Sequence, residues 1–124
     1  MALKLSEEKR EEFEKLQESF MGQRKQHAAA SMQLSAIERE RQHRSITQQD
    51  LKSLPEGTIM YKQVGKMFMQ APAAAVMGEL DGEIKGFENM ISELGGKRET
   101  YEKAMKETEG KLQEIIKAAQ SAAA

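Results

Sequence analysis

The sequence contains no cysteine and no tryptophan, and it has only two prolines among 124 residues. The lack of cysteine excludes a disulfide framework, a zinc–thiolate site and a cysteine nucleophile. Aromatic residues make up only 5% of the chain, and Leu, Ile, Val and Phe together number 22. That apolar content is low for a compact globule, so a large single core is not expected.

Long apolar runs and an excess of charge of one sign are also missing. Because no stretch of 18 apolar residues occurs, we expect no membrane-spanning helix. The chain turns acidic at Glu7 and Glu8, before the apolar region of a signal peptide could form. Charged residues make up 31% of the sequence, yet the net charge is −1, which argues against disorder and against a dedicated nucleic-acid binder. We therefore expect a cytoplasmic protein that binds neither membranes nor nucleic acid.

Helix-forming residues are abundant and follow a heptad pattern. Ala, Glu, Lys, Leu and Arg account for 61 residues, a share typical of coiled coils when the spacing alternates between three and four. The first heptad series comprises Phe13, Leu16, Phe20, Gln23, His27, Ala30, Leu34, Ile37, Arg41 and Arg44. The second comprises Met77, Leu80, Ile84, Phe87, Ile91, Leu94, Arg98, Tyr101, Met105, Thr108, Leu112, Ile115 and Ala119. We predict coiled-coil helices over residues 6–46 and 73–120, with Gly95–Gly96 as the weakest point of the second.

The segment 47–72 between the two series has a different character. A short helical turn is predicted to begin at Thr47, which caps it with Asp50 three residues later, and to end at Pro55. Two strand-like runs, 59–63 and 66–70, flank Val64-Gly65 and predict a β-hairpin. The predicted fold is mainly α, a long antiparallel coiled-coil hairpin with one β-hairpin at the bend, in a single domain of residues 1–124.

The heptad series also predict how the two helices align. In an antiparallel pair the numbers of facing residues add to a constant, and sums of 114, 121 or 128 all bring the two series together. We favour 121, because it pairs Leu16 with Met105 and places the polar residues Gln23 and Arg98 in one layer.

With that alignment, the apolar positions at the end of the second helix face polar residues. Leu112 would lie opposite Lys9, and Ile115 opposite Ser6. The helical ends would then carry an apolar cluster made of Leu3, Leu5, Leu112, Ile115 and Ile116. Exposed apolar clusters commonly mark interaction sites, although fraying helix ends with ordinary contacts explain this pattern equally well.

The predicted hairpin needs a partner of its own. Two isolated strands are marginally stable in water, and their free edges can pair with other strands. Tyr61, Met67, Phe68 and Met69 put apolar side chains on both faces. We therefore expect several chains to join their hairpins into a larger sheet or barrel.

Candidate catalytic and ligand-binding motifs are weak. Glu40 and His43 have the spacing of a di-iron ligand pair, but the second copy that such a site needs is missing. The segment from Gly57 to Lys66 departs from the phosphate-binding loop in both spacing and the residue after the lysine. We predict no catalytic residues, no metal and no cofactor, and we do not expect an enzyme.

The segment between the helices resembles a known family. Leu51-Lys52-Ser53-Leu54-Pro55, followed by Met60-Tyr61-Lys62-Gln63-Val64-Gly65-Lys66-Met67-Phe68-Met69, is similar to the β class of prefoldin. The resemblance implies a hetero-hexamer of two α-type and four β-type subunits, whose hairpins form a double β-barrel. It also implies that the coiled-coil ends hold unfolded clients such as actin and tubulin and deliver them to the cytosolic group II chaperonin without nucleotide.

The resemblance also assigns roles to residues of this chain. Client binding falls on the helical ends, at Leu3, Leu5, Leu112, Ile115 and Ile116. Assembly falls on the hairpin, at Tyr61, Val64, Gly65, Met67 and Phe68. The alternative interpretation is a structural coiled-coil scaffold that tethers one folded partner.

Overall fold

The computed structural model describes residues 6–123, and two helices account for most of them. The elements follow in the order α1 (Glu7–Lys52), β1 (Met60–Val64), β2 (Met67–Ala71) and α2 (Ala73–Ala123). The two strands pair antiparallel. This architecture confirms the predicted fold class of two long helices with a β-hairpin between them.

Both helices contribute to each of two compact units. The helical unit contains the described residues up to Met32 and those from Leu94 onward, and the hairpin unit is Gln33–Glu93. The helical unit is built from α1 and α2 alone. The hairpin unit contains the rest of both helices together with β1 and β2.

Local sequence determines where each helix begins. Ser6 caps α1, because its Oγ accepts a hydrogen bond from the Lys9 amide at 3.3 Å while its carbonyl accepts one from Arg10 at 2.9 Å. Glu7 and Glu8 follow in the first turn, where negative charge is favourable. At the start of α2, the Pro72 carbonyl accepts hydrogen bonds from the amides of Ala75 and Val76.

The end of α1 differs from the prediction. Thr47 does not begin a separate helical turn, since α1 continues through it to Lys52. Its Oγ1 donates to the carbonyl of His43 at 2.9 Å, so the side chain bonds within the helix instead of capping a new one. The boundary predicted at residue 46 is therefore wrong. Helix α2 also runs unbroken through Gly95 and Gly96.

Two glycines shape the connection between the helices. In the turn from Pro55 to Thr58, the Thr58 amide donates to the Pro55 carbonyl at 3.2 Å, and Gly57 has φ +85°. In the hairpin, Gly65 has φ +64° and starts the two-residue loop between Val64 and Met67. Positive φ is costly for residues with a Cβ, so these turns favour glycine. Each strand begins and ends one residue later than the sequence pattern indicates.

A narrow seam between α1 and α2 supplies most of the burial in each unit. Every residue of the first heptad series is buried or half-buried, and in the second series Arg98 alone is exposed. The most buried apolar side chains are small or medium in size, with Leu34 and Ala119 at 5% exposure. The heptad pattern therefore identified the packed faces of both helices.

The alignment of the helices is one heptad away from the predicted one. In the helical unit, Gln23 contacts Thr108, and their residue numbers add to 131. In the hairpin unit, Arg44 contacts Glu83 and Gln48 contacts Asp81, with sums of 127 and 129. Of the sums that bring the two series together, only 128 fits these contacts. The predicted sum of 121 is wrong, since it would put Gln23 about 15 Å along α2 from Thr108.

Arg44 holds this alignment in the hairpin unit. Its Nε donates to Glu83 Oε2 and its Nη1 to Glu40 Oε2, both at 3.0 Å, while the guanidinium lies 5.7 Å from the centre of the Phe87 ring. Each such interaction contributes at most about 1 kcal/mol at a partly exposed position. A shift of one heptad would break the contacts to both α2 residues together, so Arg44 contributes more to alignment than to stability.

A polar pair plays the same role in the helical unit. Thr108 is 7% exposed, and its Oγ1 lies 3.0 Å from the Gln23 side-chain oxygen and 2.9 Å from the Ala104 carbonyl. A hydroxyl has one hydrogen, so it donates to Ala104 and accepts from Gln23 when the amide is turned by 180°. The bond to Ala104 lies within α2 and is present in any alignment, so only the contact with Gln23 depends on how the two helices are aligned.

The alignment can be tested with cysteines, because the native chain has none. We expect Leu16→Cys with Leu112→Cys, which have a sum of 128, to form a disulfide on mild oxidation, as measured by gel mobility and mass spectrometry. The control, Leu16→Cys with Met105→Cys, places the thiols about 10 Å apart along the helix axis and should stay reduced. If the control pair alone oxidised efficiently, the helices would be aligned with the sum of 121 and not 128.

The two kinds of glycine should respond oppositely to alanine. Gly96 lies within α2 and an added Cβ would meet nothing within 4 Å, so Gly96→Ala should raise the free energy of unfolding by about 1 kcal/mol. A Cβ at Gly57 would also meet nothing within 4 Å, but φ is +85° there, which strains any residue with a side chain. Gly57→Ala should therefore lower the free energy of unfolding by about 1–2 kcal/mol. Urea titrations followed by circular dichroism measure both, and equal effects would contradict this distinction.

Candidate functional site

Most of the exposed large apolar side chains of the hairpin unit lie on the two strands. We define the hairpin surface as Tyr61, Val64, Met67, Phe68 and Met69, whose side chains are between 50% and 69% exposed. Four of these belong to the predicted assembly residues, and the fifth predicted residue, Gly65, forms the loop between the strands. A monomer rarely exposes large apolar side chains in such a group without a binding role.

The pairing of the strands distributes these side chains over both faces. Tyr61 pairs with Gln70, and Gln63 pairs with Phe68, so the two aromatic rings lie on one face. Val64 pairs with Met67, and Lys62 pairs with Met69, on the other face. Neither strand has a second neighbour within residues 6–123, so both outer edges can accept further strands.

One end of the hairpin is attached to the helices. Lys62 forms an ion pair with Glu79 of α2, and Met60 and Ala71 are half-buried. A cleft of about 230 Å³ lies between the hairpin and the helix ends, and its lining includes Leu51, Met60 and Met77. The base of the hairpin is therefore held in place, and the loop end with its apolar side chains is free to bind.

Two exposed residues were missing from the predicted assembly set. Met69 follows Met67 on the same face of β2, which the two-residue period of a strand could have indicated. Ile59 is 60% exposed just before β1. Ile59 is the first residue of the strand-like run 59–63, and nothing in the sequence indicates whether its side chain binds a partner or packs within the chain.

A second candidate site lies in the helical unit, where the beginning of α1 meets the end of α2. This terminal groove has a volume of about 430 Å³. Its apolar part comes from α2, through Ile115, Ala118, Ala119 and Ala122, and its charged rim comes from Lys9, Glu12, Lys111 and Glu114, with Ser6 at the edge. An apolar floor with a charged rim suits the binding of another apolar group.

The predicted client-binding residues have different positions relative to this groove. Ile115 lines it but is only 7% exposed, and Leu112 and Ile116 are half-buried. The observed alignment places Leu112 opposite Leu16 and Ile115 opposite Phe13, not opposite Lys9 and Ser6. These two side chains therefore have apolar partners within the chain, which the predicted alignment did not provide. Leu3 and Leu5 lie outside the described residues.

The described residues contain neither a metal-ligand cluster nor a membrane-spanning helix. In the part of the chain that the structure describes, no group of three or more His, Asp or Glu side chains could hold a metal ion. Over residues 6–123, neither helix is long and apolar enough to cross a bilayer. The two sites offer apolar surface, free strand edges and a charged rim.

Comparisons with known proteins agree on one family. A family model described as "Prefoldin subunit" matches residues 14–119. The chain is 27% identical over 94 residues to "Prefoldin subunit 1" of Tetraodon nigroviridis and, to the same extent, to that of Danio rerio, covering 76% of this chain and 77% of each relative. It also resembles the crystal structure of the prefoldin beta subunit from Thermococcus strain KS-1, with a TM-score of 0.68, 19% identity, and coverage of 98% of this chain and 96% of the other. At that identity the structural match shows a shared fold.

Proposed function

Because the chain belongs to the prefoldin subunit family, as its match over residues 14–119 shows, we propose that it acts as an ATP-independent holdase within a hetero-hexamer. The hairpin surface joins it to α-type and β-type prefoldin subunits. The helical ends capture unfolded proteins, of which actin and tubulin are the expected clients, and present them to the cytosolic group II chaperonin. Membership of the family confirms the resemblance seen in the sequence.

The exposed hairpin is the observation that carries this proposal. These side chains are already a third to a half buried within the chain, so covering the rest of each against another subunit contributes about 1–2 kcal/mol. The free strand edges add hydrogen bonds that two isolated strands lack. Tyr61, Val64, Met67 and Phe68 supply the apolar contacts, and Gly65 supplies the tight loop that lets neighbouring hairpins approach.

The terminal groove supports the proposed client binding. Its apolar floor is small and its rim carries charges of both signs, so a single groove binds weakly and with little sequence preference. Several such grooves in one assembly increase the apparent affinity through multivalency. Binding that favours unfolded chains lowers the concentration of unbound unfolded protein that can aggregate. Mass action alone provides this effect.

The proposed client-binding residues contribute in different ways. Ile115 forms part of the groove floor, whereas Leu112 and Ile116 retain partial exposure next to it. Ser6 lies at the edge of the groove. In the sequence, Leu5 is the residue before Ser6 and Leu3 is two residues before Leu5. We assign direct client contact to Ile116, Leu3 and Leu5. Leu112 and Ile115 contribute by shaping the groove.

Assembly through the hairpin can be tested with Phe68→Ser, since Phe68 is 68% exposed within this chain. Loss of its burial should weaken assembly with sister subunits at least about tenfold, measured by native mass spectrometry over a concentration series. The control Met90→Ser replaces an exposed side chain of α2 and should assemble like the native chain. Unchanged assembly of the Phe68→Ser protein would remove the hairpin from the interface.

Client capture can be tested by deleting residues 1–5, which keeps the Ser6 cap, together with Ile116→Ser. The assembled variant should suppress aggregation of several chemically denatured proteins less than the native assembly does, as light scattering measures. Met90→Ser again serves as the control.

The same experiment separates a holdase from a tether. If the variant lost binding to one native protein and kept its suppression of denatured ones, the scaffold alternative would replace the holdase. If both activities were unchanged, the assignment to the helical ends would fail.

A further inference from the structure

An apolar stripe that neither proposed site uses lies on α1 in the helical unit. Met21 is 70% exposed and Met32 is 74% exposed, the two highest values among the large apolar residues described. They are eleven residues apart, about three helical turns, so they lie on the same side of α1. Lys25 and Ala28 lie between them on that side and are exposed. We call Met21, Ala28 and Met32 the methionine stripe, with Lys25 at its edge.

Packing within the chain does not explain this stripe. The seam with α2 uses Phe20, Gln23, His27 and Ala30, which are half-buried or buried. At 100° per residue, Met21 and Met32 lie about 140° and about 160° around the helix from the middle of that seam. The stripe therefore faces away from α2, and methionine, whose flexible side chain suits adaptable binding surfaces, occupies both of its ends.

Between Met21 and Met32 the charges beside the stripe are positive, whereas Glu18 lies one turn before Met21. No acidic residue occurs in residues 19–37, between Glu18 and Glu38. Arg24 and Lys25 lie on its two sides, about 60° and 40° from Met21, and both are exposed. Among the residues that the structure describes, neither takes part in a salt bridge. This arrangement is complementary to an apolar stripe with acidic residues on both sides.

We propose that the methionine stripe is a docking surface for an amphipathic helix of a partner protein, with acidic residues flanking its apolar face. Apolar side chains of that helix pack along Met21 and Met32, and Ala28 allows the two backbones to approach between them. Acidic side chains on the two flanks pair with Arg24 and Lys25, as flanking charges do in coiled coils. Contact over about three turns gives a weak, reversible interaction.

A helix is a better occupant than an anionic membrane surface. Helices that bind at the bilayer surface carry many basic residues and bury a broad face with Trp, Phe or Leu. The stripe has two large apolar side chains and two flanking cations. Its narrow width matches the seam between two helices.

The test uses the full chain, labelled at its methionine methyl groups, and a synthetic 21-residue helix with a leucine stripe flanked by glutamates. We expect the Met21 and Met32 signals to shift on titration, while those of Met90 and of Met67 in the hairpin stay in place. A matched peptide with lysines in place of the glutamates should bind at least tenfold more weakly. The Met21→Ser/Met32→Ser variant should lose at least tenfold in affinity, whereas Met90→Ser should bind like the native chain.

Three outcomes would overturn the proposal. The glutamate peptide could shift the hairpin methionines instead of Met21 and Met32, or the double variant could bind it as well as the native chain. Vesicles of phosphatidylserine and phosphatidylcholine could shift the Met21 and Met32 signals where the peptide does not, which would assign the stripe to membranes. Circular dichroism of the double variant checks that its helix content is unchanged, as expected for two exposed side chains.

Discussion

The structure depends on the seam between α1 and α2, because residues 6–123 contain no other extensive apolar core. Its buried apolar residues are few and of modest size, with Ala30, Leu34, Ile115 and Ala119 the least exposed. A seam of this kind repeats every seven residues, so apolar packing alone scarcely distinguishes one alignment from the next. Alignment is instead decided where polar groups need particular partners. Arg44 meets Glu83 and Phe87 in the hairpin unit, and Thr108 meets Gln23 in the helical unit.

Apolar surface remains available where the seam cannot cover it. The hairpin lies between the two helices in sequence, and its strands expose both edges and large side chains such as Phe68. At the chain ends, the small residues Ala118, Ala119 and Ala122 leave a groove beside Ile115. On the far side of α1, Met21 and Met32 face away from α2. The methionine stripe is exposed because α2 packs against the opposite face of α1.

The observed alignment changes the interpretation of the helical ends. Leu112 and Ile115 are positions of the seam itself, and their exposure is reduced by the facing helix. In the proposed client binding their role is therefore to shape the groove, and Ile116 follows Ile115 in the sequence. A surface of this kind has limited apolar area and mixed charge, which agrees with weak binding of many partners better than with tight binding of one.

Sequence alone determined the type and position of the elements, because periodicity and turn residues act over short distances. The heptad spacing identified the buried face of each helix, and Val64-Gly65 identified the hairpin. The sequence also placed apolar side chains on both faces of the hairpin, and Tyr61, Met67 and Phe68 are exposed there. The tertiary structure decided that α1 continues through Thr47 to Lys52, where a side-chain bond to His43 replaces a cap. It also decided the alignment of the helices and hence the burial of Ile115, because those depend on contacts such as Gln23 with Thr108, 85 residues apart in the chain.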